Sequence, residues 1–236
     1  MPEQLPFRIG KEKNLKDIQR YLKEVRATLA ALPVQHISEV VDVLLSANYV
    51  GTTIFTLGNG GSASTASHFK CDLAKGTITP NRPRFRVVAL TDNVPQMTAL
   101  SNDLSYDDVF AEQLRGFMER GDVVVAFSGS GNSPNVLRAV ELARQMGGIT
   151  VGFSGFGGGR LSDLVDVSVV VPNHCMEQVE DVHLMLCHSI CTALRERMTR
   201  IEPPVSLMLD TSGWQRERQP VEVPRAWGET GIVKGA

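Results

Sequence analysis

No stretch of this 236-residue chain reaches the roughly 20 consecutive apolar residues that a membrane span requires. The N-terminus, MPEQLPFRIGKEKN, lacks the apolar stretch of a secretory signal. The expected location is therefore the cytoplasm, with no membrane contact. A basic stripe is missing as well: the net charge is −2 and charged residues make up 21 %, which argues against a nucleic-acid surface but leaves room for a local cationic pocket. Cysteine is scarce. The four present, Cys71, Cys175, Cys187 and Cys191, form no CxxC pair and read as small buried hydrophobes with free thiols. No G-x-x-x-x-G-K-[ST] occurs, which excludes a P-loop nucleotide site. Internal repeats and low-complexity segments are also absent.

Apolar residues make up 42 %, enough to bury the core of one large α/β domain. Residues 11–31 place Leu15, Ile18, Leu22, Val25 and Leu29 at helical spacing, and Pro33 stops that helix. Residues 35–48 repeat the pattern. This N-terminal helical pair, residues 1–50, is expected to pack on the domain and to contribute to an oligomer interface. Residues 51–199 change rhythm. Short unalternating strands are predicted at 52–57, 86–91, 122–127, 149–154 and 166–171. Helical patterns lie between them, notably at 106–118 and 134–147, and a last helix covers 176–199. Such alternation predicts a three-layer, doubly wound, five-stranded parallel sheet with helices on both faces. Right-handed crossovers bring the C-terminal strand ends to one edge, where ligands bind in open α/β sheets. From 200 to 236 the pattern dissolves into an extended tail holding four of the twelve prolines and both tryptophans, Trp214 and Trp227. The tryptophans argue against free disorder there.

Two strand ends carry the strongest signal. The first is Gly58-Asn59-Gly60-Gly61-Ser62 and the second Ser128-Gly129-Ser130-Gly131-Asn132-Ser133-Pro134. Glycine lets backbone N–H groups converge on an anion, a helix N-terminus adds partial positive charge, and serine hydroxyls add donors. Pro134 suits a first helical turn. Gly58-x-Gly60-x-x-Ala63 fits a dinucleotide fingerprint, but the acidic partner expected roughly 20 residues on is missing; the nearest acids are Asp72 and Asp92. The pair is therefore read as a phosphate cradle. Asp92, at a strand end, is a candidate partner for a sugar hydroxyl. Gly155–Gly159 reads as a connector, and His174 and His183 as hydrogen-bonded or surface histidines.

These loops closely resemble those of the sugar isomerase (SIS) domain, a flavodoxin-like fold, and within it the sedoheptulose 7-phosphate (phosphoheptose) isomerases. The match runs from about Ile37 to Arg197 and includes GNGGS at 58–62, His68-Phe69, Asp72-Leu73, Asn102-Asp103, SGSGNS at 128–133, GGG at 157–159, and a last helix with Glu180 and His188. The resemblance implies that Asn59, Gly60, Gly61, Asn102 and Asp103 contact the sugar phosphate and that Ser128, Gly129, Ser130 and Ser133 cradle the phosphate. It implies a reaction centre of His68, Asp72, Glu180 and His188, which in some members binds one zinc per site. Homotetramers with shared sites are typical. Three positions depart from the family's usual residues: Asp72 replaces glutamate, Glu180 replaces glutamine, and Gly129 replaces threonine.

The chemistry is coherent. His68 and Asp72, four residues apart, project from one helix face. Glu180 and His188 are eight apart, about two turns plus 80°, on adjoining sides of one face. Two imidazoles and two carboxylates suit a tetrahedral zinc site or, equally, an acid–base pair. Aldose–ketose isomerisation moves a proton between C1 and C2 through an enediol, with Asp72 as base and His188 as acid or shuttle. His68 and Glu180 orient them or complete a metal shell, and both carboxylates, Asp72 and Glu180, are also expected to face substrate. The expected function is isomerisation of sedoheptulose 7-phosphate to D-glycero-D-manno-heptose 7-phosphate. The alternative is a non-catalytic sugar-phosphate-binding or regulatory protein-interaction SIS protein.

Overall fold

The computed structural model describes residues 11–200, with side chains from Lys13 onward. The expected tail lies outside the described residues beyond Arg200. Two helices open the chain, α1 (Lys11–Ala30) and α2 (Val34–Val50). Pro33 separates them, and α2 ends on Gly51, whose φ of 81° closes the helix with an N–H to Ala47 carbonyl bond. There follow β1 (Thr53–Gly58), α3 (Gly61–Cys71), β2 (Arg86–Ala89), α4 (Val94–Asp103), α5 (Val109–Phe117), β3 (Val123–Ser128), α6 (Pro134–Gln145), β4 (Ile149–Ser154), α7 (Gly159–Leu164), β5 (Val167–Val170) and α8 (Met176–Thr199). All five predicted strands are present. The 106–118 segment is a 3₁₀ turn at Tyr106–Asp108 running into α5, and α4 and α7 were not anticipated. Among the described residues no single helix is long and apolar enough to cross a membrane.

The strands form one parallel sheet in the order β2-β1-β3-β4-β5. The order reverses between β1 and β3, so the crevice outside their carboxyl ends is the expected ligand site of such a sheet. Both glycine-rich loops leave the sheet there. Side chains alternate between two cores. Phe55, Leu57, Val124 and Ala126 pack with Phe110, Leu114, Val136 and Val140 of α5 and α6. On the other face, Phe127 stacks on Phe153 at 4.9 Å and meets Phe69 of α3 edge-on. Leu44 of α2 and Val182, Leu186 and Ile190 of α8 are buried as well. Removing a buried ring such as Phe127 costs about 3–5 kcal/mol.

α1 is attached by polar groups. Tyr21 donates to Asp181 at 2.5 Å, Gln178 to Glu24 at 2.8 Å, and Asn173 to the Thr28 hydroxyl at 2.7 Å. Its apolar stripe faces outward: Leu15, Ile18 and Leu22 are 55 %, 58 % and 61 % exposed.

Candidate active site

The first loop turns directly into α3. Its Asn59 side chain is locked by a reciprocal amide pair with Asn135, at 2.8 and 2.9 Å, and by Tyr106, whose hydroxyl donates to Asn59 Oδ1 at 2.9 Å. Asn135 and Tyr106 carried no motif, so sequence reading missed them. Asn102 and Asp103 are exposed and bonded to one another at 2.9 Å. No described bond joins either of them to the loops; Tyr106, three residues on, makes that link.

In the second loop Ser128, Gly129 and Gly131 are buried. Ser128 Oγ lies 3.3 Å from Ser133 Oγ, and Ser130 Oγ accepts from the Asn132 amide at 3.2 Å. Pro134 begins α6, as its fixed φ favours. Gly155–Gly159 is no mere connector. Gly155 donates to the Gly129 carbonyl at 2.8 Å and Leu161 to the Gly131 carbonyl at 2.9 Å. Gly131 needs its missing side chain: its φ is +66°, and a Cβ there would meet Gly158 O at 1.9 Å. The strand-four turn thus buttresses the anion loop because the two backbones must touch. At Gly129 the place of a Cβ is taken by Met176, whose Sδ lies 2.3 Å from that point. Met176 opens α8 and is 40 % exposed.

The four residues expected at the reaction centre split into two groups. His68, Asp72 and His188 converge, with one donor atom from each lying within 4.8 Å of the others. The two Nε2 atoms are 2.9 Å apart, and Asp72 Oδ2 lies 3.2 Å from His68 and 3.6 Å from His188. Asp72 begins a π-helical turn, Asp72–Gly76, that ends α3; such turns are frequent at functional sites. Two facing ring nitrogens cannot both present lone pairs, or both present protons, without repulsion. One must donate to the other, or a cation must lie between them and the carboxylate. The donor set fits a zinc-like divalent ion with three protein ligands and an open position.

Glu180 stands apart, which corrects the four-residue shell expected above. Its carboxylate packs on Gly61, where a Cβ would fall 2.2 Å from Oε2. The reason is helical rise: eight residues along α8 separate Glu180 from His188 by about 12 Å. α3 runs alongside in the same direction, so Glu180 meets its start and His188 its end. Asp92 is tied to α3: Ser67 donates to it at 2.5 Å and Lys70 pairs with it at 3.3 Å. His174 lies edge-on to Phe156. Of the cysteines, Cys187 and Cys191 are buried. Burial, and then the nearby Asp72 charge, pushes the Cys191 thiol up to about 12. Cys71 is exposed and Cys175 half-buried, its thiol donating to Glu177, so the buried reading does not hold for those two.

A doubly wound sheet, two glycine–serine loops at its switch point and a His–Asp–His cluster between two helices define an α/β protein with a candidate anion-binding crevice. The comparisons make this specific. The SIS domain model matches residues 15–155. A probable phosphoheptose isomerase of Thermoplasma acidophilum is 35 % identical over 181 residues, covering 77 % of this chain and 99 % of that one. A phosphoheptose isomerase of Aliarcobacter butzleri is 36 % identical over 149 residues, 63 % of this chain and 78 % of that one. The solved phosphoheptose isomerase GmhA of Neisseria gonorrhoeae superposes with a TM-score of 0.72 at 27 % identity, covering 79 % of this chain and 98 % of that one. The chain belongs to the SIS domain family, in its phosphoheptose isomerase branch.

Proposed function

We propose that this protein isomerises sedoheptulose 7-phosphate to D-glycero-D-manno-heptose 7-phosphate in the cytoplasm. The observation that carries the reading is the convergence of His68 and Asp72, at the end of the helix that the first loop opens, with His188 of α8. Seven residues of α3 separate Gly61 from His68, about 10 Å at 1.5 Å per residue. That separation suits a sugar chain laid along α3 between the first loop and the cluster. Ser128, Ser130, Ser133 and the loop amides hold the phosphate. Asn59, fixed by Asn135 and Tyr106, faces the sugar chain beside Gly60 and Gly61. Asp72 takes the proton from C1 of the ketose to give the enediol and returns it at C2, while His188 passes the hydroxyl proton between O1 and O2. His68 orients Asp72. Zinc, held by His68, Asp72 and His188, would supply polarisation of the carbonyl. Glu180 engages the chain near Gly61.

Turnover of sedoheptulose 7-phosphate by purified protein, with and without zinc after chelation, tests this. His188→Ala should lower kcat by about 10²–10⁴-fold. Absence of turnover with any phosphosugar while binding persists would establish the non-catalytic sensor instead.

The exposed stripe Leu15, Ile18 and Leu22 supports a homotetramer in which α1 packs against another copy. Leu22→Glu should shift the assembly to smaller species in sedimentation; an unchanged mass would remove α1 from the interface.

A further inference from the structure

Of the five histidines, His183 alone is buried, at 0 % exposure. It sits on α8 between Glu180 and His188 and faces the sheet. Its ring lies 6.0 Å from that of Phe127 and 6.1 Å from that of Phe153. Nε2 is 3.3 Å from the Ser154 carbonyl, which only accepts, so the proton sits on Nε2. Nδ1 is buried without a partner. An unpaired buried acceptor costs about 1–3 kcal/mol, and a leucine would fill the same space without it. Packing alone therefore does not account for an imidazole here.

What the imidazole touches does account for it. Phe127 immediately precedes Ser128 of the anion loop. Ser154 precedes Gly155, whose amide is bonded to the Gly129 carbonyl. One side chain of the helix bearing His188 thus grips both strand ends that carry the loop. We propose that His183 is a positioning residue that sets α8 against the anion loop and so fixes the distance between bound phosphate and the His68–Asp72–His188 cluster. This goes beyond the isomerase reading and rests on it only for its kinetic readout.

Three variants separate position from packing. His183→Gln keeps an amide donor at similar reach; His183→Asn is too short to meet Ser154; His183→Leu packs without donating. For Leu and Asn, kcat should fall about tenfold to 100-fold with little change in KM, as expected when anchored substrate is misplaced. Gln should restore most of kcat. The Gly155 amide should exchange about tenfold faster in Leu and Asn, with α6 amides unchanged and Gln near wild type. Wild-type kcat in His183→Leu, no difference between Gln and Asn, or faster exchange spread evenly over the whole domain would each overturn the proposal. A wild-type protein without turnover would overturn the isomerase reading instead, and the Gly155 exchange would still decide the role of His183.

Discussion

The two ends of the crease between α3 and α8 are built by opposite means. At the start of α3 the two loops are made of backbone and short side chains bonded to one another and to their surroundings: Ser128 to Ser133, Asn59 to Asn135, Gly129 to Gly155. At the end of α3 the working groups are long side chains in half-exposed positions, with His68 45 % and His188 54 % exposed at the side chain. A phosphate needs fixed dipoles, which backbone supplies at no cost in side-chain entropy. Proton transfer needs groups that change charge, and these must reach both substrate and solvent.

The largest expected effect sharpens that division. Asp72→Asn removes the proposed base and touches neither loop. Turnover should fall about 10³-fold or more, while inorganic phosphate measured by calorimetry binds within about twofold of wild type. Asp72→Glu restores the family's longer side chain and should keep measurable turnover. Loss of phosphate binding in Asp72→Asn would show that the two ends are not separable.

The next effect falls on the buried side. Burial holds the His183 imidazole well below its usual 6.5, at about 4, against a weaker opposing pull from its bond to Ser154. The folded protein resists protonation that the unfolded chain accepts. This contribution is therefore complete above pH 6.5 and is lost as pH falls from 6.5 towards 4. At 1.36 kcal/mol per pH unit the loss reaches about 3 kcal/mol. Urea titrations across that range should show the decline, and His183→Gln should flatten it. An equally steep profile in His183→Gln would place the acid sensitivity elsewhere.

The same division explains what was legible in the sequence. Strands and anion loops were, because β-branched runs ending in Gly-Asn-Gly-Gly and Ser-Gly-Ser-Gly are local patterns. His68 with Asp72 was, because four residues on a helix share a face. Glu180 was misplaced because helix arithmetic fixes direction around an axis while the 12 Å rise along it, about eight residues' worth, decides which neighbour a side chain meets. Asn135, Tyr106 and the Gly158–Gly131 contact were invisible because each joins segments far apart in the chain. The bonds of Ser67 and Lys70 to Asp92 were not legible either, because they reach it from a different element.

The smallest effect tests whether the anion end is uniformly rigid. Gly129 departs from the family's threonine, and Met176 fills the vacated place with a thioether that has no proton to donate. That wall is soft, because Met176 is 40 % exposed and its far end can swing away. Gly129→Ser alone should displace Met176, losing about 1 kcal/mol of packing while adding a hydroxyl to the cradle. Met176→Ala alone should lose a similar amount. In the double variant the serine meets no obstacle, so the two changes should cost less together than their sum, with a coupling of about 1 kcal/mol. Phosphate affinity should be highest in the double variant, where the new donor sits without strain. Strict additivity in stability, together with unchanged phosphate affinity, would mean that Met176 does not press on the loop, and that this end of the crease is as independent of α8 as its backbone construction suggests.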